Sequence, residues 1–281
     1  GRPQFLQKIF DFVKQEEKDS NGRFSVGTPR TSDGSLLFLQ HLIHKMETKG
    51  SRIGIVFNGS PLFTGEAGGG ESEIRKWIIE NDWLECIIQL PDKMFFNTSI
   101  TTYIWIVTNK KSSDRKGKVQ LIDGTSFSES MKKNLGEKNK YISNDQIESL
   151  KEIYLNNKEN EFCKIFDNNY FGYTKITIEQ ALIENGEIKK DKKRNTKTDS
   201  GKRDFERVPL LENIDEYYKR EVKPHLPESW IDRSKDKIGY EINFTKYFYK
   251  FAPLRNLKEI TQDIKLIDDE INALSRKSVN E

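Results

Sequence analysis

A run of basic side chains between positions 189 and 203 offers the clearest chemistry that residue types alone provide. It contains eight lysines and arginines against two aspartates. Such a run could neutralise DNA phosphates and give salt-dependent affinity without reading base sequence. A solvated loop is the alternative interpretation. The candidate phosphate contacts are Lys189, Lys190, Lys192, Lys193 and Arg194.

Asn58 is a candidate ligand contact because of its position in the chain. It follows the apolar segment from Arg52 to Phe57, which predicts a central, parallel strand with helices on both faces. Open α/β sheets bind ligands beyond the carboxyl ends of their strands, so Asn58 would form a wall of such a cleft. The Gly-rich segment 64–72 matches neither a P-loop nor a dinucleotide fingerprint, and we interpret it as a flexible loop before a helix.

Cysteine and histidine usage gives no reason to predict a metal site. Cys86 lies inside an apolar segment and reads as a small core residue, and Cys86 and Cys163 cannot form a metal cluster by themselves. His41 and His44 are three residues apart on a predicted helix, yet no cysteine or carboxylate spacing completes a site. The low cysteine content fits a reducing cytoplasm.

Hydrophobic periodicity predicts the elements that must position these residues. Apolar residues at helical spacing predict helices over 4–18, 36–46 and 72–81. Apolar segments bounded by polar turns predict strands over 52–57, 84–90, 102–108 and 118–123.

The texture of the sequence changes after residue 124. Residues 125–160 are polar, with a thin apolar face that predicts helix, and residues 161–183 predict short strands and turns. The basic stretch 184–207 predicts a loop or disorder. Residues 208–252 are dense in aromatic side chains and read as compact. We therefore expect three segments, at 1–124, 125–207 and 208–281.

A heptad seam marks the last predicted helix. Its apolar residues are spaced 3, 4, 3, 4, 3, which is the a/d pattern of a helix that packs along one face. The seam either binds a partner helix or packs on the chain's own core. Its members are Leu257, Ile260, Ile264, Ile267, Ile271 and Leu274.

Bulk composition excludes the membrane and disordered classes. Of the 281 residues, 17 are Phe, 10 Tyr and 4 Trp, which argues against wholesale disorder. No apolar stretch approaches the roughly 20 residues that span a bilayer. The chain shows no signal-peptide core, and its lack of an initiator Met suggests a partial or processed polypeptide. We expect a cytoplasmic protein with no membrane contact.

Seven segments of the chain together match the pattern of one protein family. They are Leu36–Leu42, Arg52–Gly59, Glu73–Ile79, Leu90–Thr98, Tyr103–Ile106, Glu221–Asp232 and Gly239–Lys250. With these segments the chain resembles the methyltransferase (M) subunit of type I restriction-modification systems. The resemblance covers most of residues 22–274 and rests on no generic motif.

The resemblance implies an α/β fold. The chain would hold the C-terminal half of a class I (Rossmann-like) S-adenosylmethionine-dependent methyltransferase sheet, closed by an antiparallel strand, plus a mostly helical C-terminal region. The implied activity is methyl transfer from S-adenosylmethionine to the exocyclic amine of adenine in DNA. The family's Gly-rich cofactor loop and its Asn-Pro-Pro-Phe/Tyr motif are both missing from this sequence.

These two departures predict that the chain alone is inactive and binds no cofactor, which the parent enzyme would hold instead. Residues 1–124 would be the distal half of the catalytic domain. A non-catalytic scaffold that binds DNA or a subunit is one alternative, and a methyltransferase for RNA or protein is another.

The resemblance also implies roles for individual residues. The family's base-stacking aromatic lies in the loop between the last two strands, where Phe95 and Phe96 fall. Asn97 and Thr98 could reach base edges or phosphate, and Phe95 is the preferred stacking residue. A loop aromatic that plugs the core is the alternative. The heptad helix resembles the segment that packs on the specificity subunit; the restriction subunit and double-stranded DNA complete the implied partners.

Overall fold

One mixed sheet, one antiparallel sheet, two β-hairpins and their flanking helices make up the larger of two compact units, residues 1–247; residues 248–281 form the smaller unit. The structure is a computed structural model that describes residues 4–191, 194–249 and 256–278. The helices are α1 (Gln4–Lys18), α2 (Ser35–His44), α3 (Ser60–Phe63), α4 (Gly70–Glu80), α5 (Asn144–Asn156), α6 (Ile214–Tyr217), α7 (Phe244–Phe248) and α8 (Leu257–Ser278).

Thirteen strands lie within the described ranges. They are β1 (Arg52–Phe57), β2 (Leu84–Gln89), β3 (Tyr103–Thr108), β4 (Lys118–Asp123), β5 (Glu129–Leu135), β6 (Lys138–Tyr141), β7 (Cys163–Asp167), β8 (Gly172–Glu179), β9 (Ile183–Glu184), β10 (Glu187–Ile188), β11 (Asp204–Pro209), β12 (Trp230–Ile231) and β13 (Lys237–Tyr240).

The first sheet has the order β1-β3-β2-β4-β7. β3 lies between β1 and β2 and runs antiparallel to both, while β4 is parallel to β2. This antiparallel insertion confirms the arrangement expected from the sequence. β2 is buried on both faces, and Leu150 of α5 packs in one cluster with Cys86, Ile88 and Ile122. Cys86 is therefore a core residue, as its apolar setting predicts.

β1 differs from its prediction as a central strand covered on both faces. Within the described residues it pairs with β3 alone and forms an edge of the sheet. Val56 is 51% exposed and Phe38, on the neighbouring α2, is 70% exposed. The apolar sequence of β1 predicts neighbours on both sides and both faces, and the described residues supply only part of them.

The second sheet is built around β8, which pairs antiparallel with β11 on one side and with β12 and β13 on the other. Its core combines Ile176, Ile178 and Val208 with Tyr218 and Val222. The predicted division at residues 124 and 207 stays a prediction; β4 and β7, which flank its first boundary, are neighbours in one sheet.

Two sequence predictions of secondary structure are wrong. Residues 129–141, predicted as helix, form the β5–β6 hairpin, whose two-residue turn places Gly136 at φ +62°. Residues 184–188, predicted as loop or disorder, lie in the β9–β10 hairpin, with Asn185 and Gly186 both at positive φ. Asn-Gly and Gly-X are the usual two-residue hairpin turns, so the local turn chemistry prevailed over the polar composition.

Candidate active site

The carboxyl ends of three strands meet at one edge of the first sheet. β1 and β2 are both antiparallel to β3, so they are parallel to each other, and β4 runs in the same direction. The last residues of β1 and β2, Phe57 and Gln89, both pair with Tyr103, the first residue of β3. Asn58 and the loop that follows β2 therefore begin about 10 Å apart, two strand spacings, at this edge.

Asn58 is exposed, and its side chain has a local hydrogen bond. The side-chain oxygen accepts from the backbone N–H of Ser60 at 3.0 Å, which shapes the entry into α3. The amide NH₂ of Asn58 makes no hydrogen bond to the described residues. Asn58 can thus offer two donors at the sheet edge while its oxygen maintains the turn.

The loop between β2 and β3 is closed at its base and exposes its aromatic side chains. The backbone N–H of Leu90 donates to the carbonyl of Thr102 at 2.8 Å, and Phe95 forms an isolated antiparallel bridge with Thr98. Phe95 is 39% exposed and Phe96 57% exposed. Both side chains are therefore partly accessible from outside the loop.

The β5–β6 hairpin packs its turn against this loop. The backbone N–H of Glu137 donates to the carbonyl of Phe96 at 3.0 Å, and that of Asn139 donates to the carbonyl of Lys93 at 3.2 Å. Lys140 pairs with Asp92 and holds the pKa of that carboxyl below its usual range. Sequence reasoning missed this contact because it treated the segment as helix.

Tyr103, the first residue of β3, packs at the same edge of the sheet. Burial, followed by the nearby Asp123 carboxylate, raises the pKa of its hydroxyl. Its ring packs edge-on against Phe244, with centroids 5.4 Å apart. The backbone N–H of Ile242 donates to the carbonyl of Leu62 at 2.8 Å. The segment after β13 is therefore attached to the α3 turn.

Arg75 ties the α3 turn to the second sheet from a fully buried position. Its guanidinium donates to the carbonyls of Tyr240 and Thr64 at 2.6 Å, Pro61 at 3.1 Å and Gly65 at 3.4 Å. Burial lowers its pKa to about 10. Because all four acceptors are backbone carbonyls, Arg75 fixes the path of the chain just beyond Asn58.

Comparison with protein families identifies the family of this chain. The profile of the N-6 DNA methylases matches residues 2–197, more than half of the chain. The chain belongs to the N-6 DNA methylase family. The resemblance to type I methyltransferase subunits, predicted from the sequence, is confirmed by the relatives of this chain, and the predicted α/β fold class is confirmed with it.

Two relatives illustrate the match. The chain is 32% identical over 133 residues to the type I restriction enzyme HindI methylase subunit of Haemophilus influenzae, covering 43% of this chain and 29% of that protein. It is 30% identical over 156 residues to the MjaVIII methylase subunit of Methanocaldococcus jannaschii, covering 55% and 25%. The chain thus spans under a third of these two relatives.

Solved structures give a partial overlap. The methyltransferase subunit of the type I restriction-modification system from Streptococcus thermophilus aligns with a TM-score of 0.46 at 25% identity. The alignment covers 53% of this chain and 30% of that one.

The Gly-rich segment of this chain is packed against the loop before α2. A Cβ at Gly70 would lie 1.9 Å from the carbonyl oxygen of Thr28, so this glycine permits close packing of two backbones. Glu71 accepts from the backbone and side-chain nitrogens of Arg30, both at 3.0 Å. The segment is a packed connection with a carboxylate at the helix start.

Lys189 and Lys190 of the basic stretch pair with residues close to them in the chain. Lys189 forms an ion pair with Glu184 at 3.4 Å. The backbone of Lys190 forms an isolated antiparallel β-bridge with Thr196, and Arg194 is exposed. Lys192 and Lys193 lie outside the described residues. Their role as phosphate contacts stays a prediction.

The heptad residues lie on α8, as the spacing predicts. Leu257, Ile264, Ile267 and Ile271 are exposed and Ile260 is half-buried. Leu274 is within the helix, and its side chain lies outside the described part. No helix among the described residues is both long and apolar enough to span a membrane.

Proposed function

We propose that this chain is the distal part of the catalytic domain of an adenine-specific DNA methyltransferase subunit from a type I restriction-modification complex, inactive by itself. The observation that supports it is the antiparallel β3 between β1 and β2 in a member of the N-6 DNA methylase family. The carboxyl edge then forms one wall of the cleft in which the target adenine is methylated.

The remaining wall is supplied by strands that extend the sheet from β1. Exposed Val56 lines a groove with Phe38 and Leu42 of α2. A strand edge with unpaired backbone groups and apolar neighbours is a template for another strand. The parent enzyme's S-adenosylmethionine is held by that added half, because the family's Gly-rich cofactor loop and its Asn-Pro-Pro-Phe/Tyr motif are missing from this sequence.

The residues of this chain bind and orient the target base. A methyltransferase acting on a base takes it out of the duplex and stacks it in a pocket. Phe95 is the stacking surface, with Phe96 beside it. Asn97 and Thr98 reach the base edge or the adjacent phosphate, and Asn58 donates from the facing strand end.

Two measurements test this function. The complete methylase subunit, purified with its specificity subunit, should methylate adenine in duplex DNA, whereas this 281-residue chain alone should show no heat of S-adenosylmethionine binding by titration calorimetry. Micromolar binding by the chain alone would contradict the divided cofactor site. Methylation of RNA or protein, with none of duplex DNA, would favour another substrate class.

A non-catalytic scaffold is the second candidate, favoured by the exposed seam of α8. We expect Ile264→Asp with Ile267→Asp to abolish co-purification with the specificity subunit, because two charges would be buried without partners in a helix–helix seam. Affinity co-purification measures this directly.

The matched control for the seam lies on the same helix. Leu266 is exposed but outside the 3-4 spacing, so Leu266→Asp with Gln262→Asp should leave the complex intact. If the seam variant still co-purified with the specificity subunit, the seam would not bind that subunit and would pack only within its own chain.

A further inference from the structure

The β5–β6 hairpin is a candidate DNA contact that the sequence patterns did not reveal. It carries four lysines and two glutamates between Glu129 and Tyr141. One glutamate, Glu129, accepts a hydrogen bond from the Tyr141 hydroxyl at 2.5 Å. Lys140 pairs with Asp92 in the neighbouring loop. The other three lysines form no ion pair with the described residues.

The hairpin is held against the proposed base-binding loop by its backbone. Besides the two hydrogen bonds from Glu137 and Asn139, the ammonium of Lys138 lies 5.4 Å from the centre of the Phe96 ring. A Cβ at Gly136 would lie 2.6 Å from the Phe96 carbonyl oxygen. The turn therefore approaches the loop as closely as a glycine permits.

Lys132 and Lys133 are exposed on this hairpin. Free ammonium groups on a structured arm are suited to phosphate, since each neutralised phosphate releases a condensed counterion. Their position matters because backbone contacts fix the register of a protein on DNA. An arm attached to the Phe95–Phe96 loop can fix the register of the strand that carries the extruded base.

We propose that the β5–β6 hairpin contacts the phosphates of duplex DNA next to the target base, through Lys132 and Lys133, with Lys138 above the Phe96 ring. This rests on the proposed function, since it assigns the hairpin to the same cleft. The hairpin raises the affinity for DNA and fixes the register of the protein on it, without reading base sequence. It is a second basic element, distinct from the 189–203 stretch.

The test is the salt dependence of DNA binding by the complete methylase subunit with its specificity subunit. The probe is a short fluorescein-labelled duplex, followed by anisotropy. Lys132→Gln with Lys133→Gln should reduce the slope of log affinity against log salt by about 1.8, the value for two lost phosphate contacts on duplex DNA. Thermal unfolding should be unchanged, because both side chains are exposed and unpaired.

Two comparison variants make the result specific. Lys45→Gln with Lys49→Gln removes the same charge from exposed positions before β1, at the opposite end of the sheet, and should leave the slope unchanged. Gly136→Ala introduces a side chain at positive φ against Phe96 and should lower both DNA affinity and the methylation rate by displacing the turn.

Each outcome decides the proposal. An unchanged slope for the lysine pair overturns it and leaves the hairpin as a brace for the loop. A slope reduced only by Lys189→Gln with Lys190→Gln assigns the phosphate contact to the 189–203 stretch and also overturns it. Failure of the proposed function differs: the wild-type complex would not methylate duplex adenine, even if the lysine pair changed the slope.

Discussion

Phe95→Ala in the complete methylase subunit should reduce adenine methylation by about 5- to 150-fold. Stacking of one base on an aromatic side chain contributes about 1 to 3 kcal/mol, and each 1.36 kcal/mol lost from a barrier is a factor of ten in rate. Stability should change little, because the ring is already 39% exposed. Methylation of a hemimethylated duplex under single-turnover conditions measures the effect.

A base analogue separates stacking from general damage. With 2-aminopurine at the target position, loss of stacking on Phe95 should raise the fluorescence of the extruded base. Phe205→Ala is the matched control, because Phe205 is an exposed aromatic on β11 in the second sheet, and it should leave both signals unchanged. Normal turnover and normal fluorescence in Phe95→Ala would assign the stacking role to another side chain.

The ranges of the apolar strands could be predicted from the sequence because apolar character is local. The ranges of β1 and β4 agree with the prediction, and β2 and β3 agree within one residue. α1 likewise follows from its own spacing. The order of the strands did not follow from periodicity; it required the family resemblance, because pairing joins residues far apart in the chain.

Other features lay beyond local patterns. The polar sequence of residues 129–141 has the composition of a surface helix, and only the turn at Gly136 indicated a hairpin. The edge position of β1 could not be predicted, because an apolar strand has the same local sequence pattern whether it has one neighbouring strand or two. The four carbonyls around Arg75 come from segments as far apart as Pro61 and Tyr240.

Arg75→Ala should lower the free energy of unfolding by about 3 to 5 kcal/mol. The substitution leaves four carbonyl oxygens without their donor in a site where Arg75 is 1% exposed. Only the hydrogen bonds to Tyr240 and Pro61 are buried throughout, and two buried groups left unsatisfied, at about 1 to 3 kcal/mol each, account for a loss of this size. Urea unfolding followed by circular dichroism, with the m-value compared, measures the loss.

Two variants test whether the guanidinium geometry is responsible. Arg75→Lys keeps the positive charge, but a single ammonium cannot span acceptors in both the α3 turn and β13, so an intermediate loss is expected. Lys76→Ala, on the next residue of α4, removes only a partly exposed pair with Glu73 at 3.8 Å and should cost less than about 1 kcal/mol. If Arg75→Ala resembled Lys76→Ala, the turn beyond Asn58 would be held by its own backbone, and the second sheet would have no part in shaping the cleft.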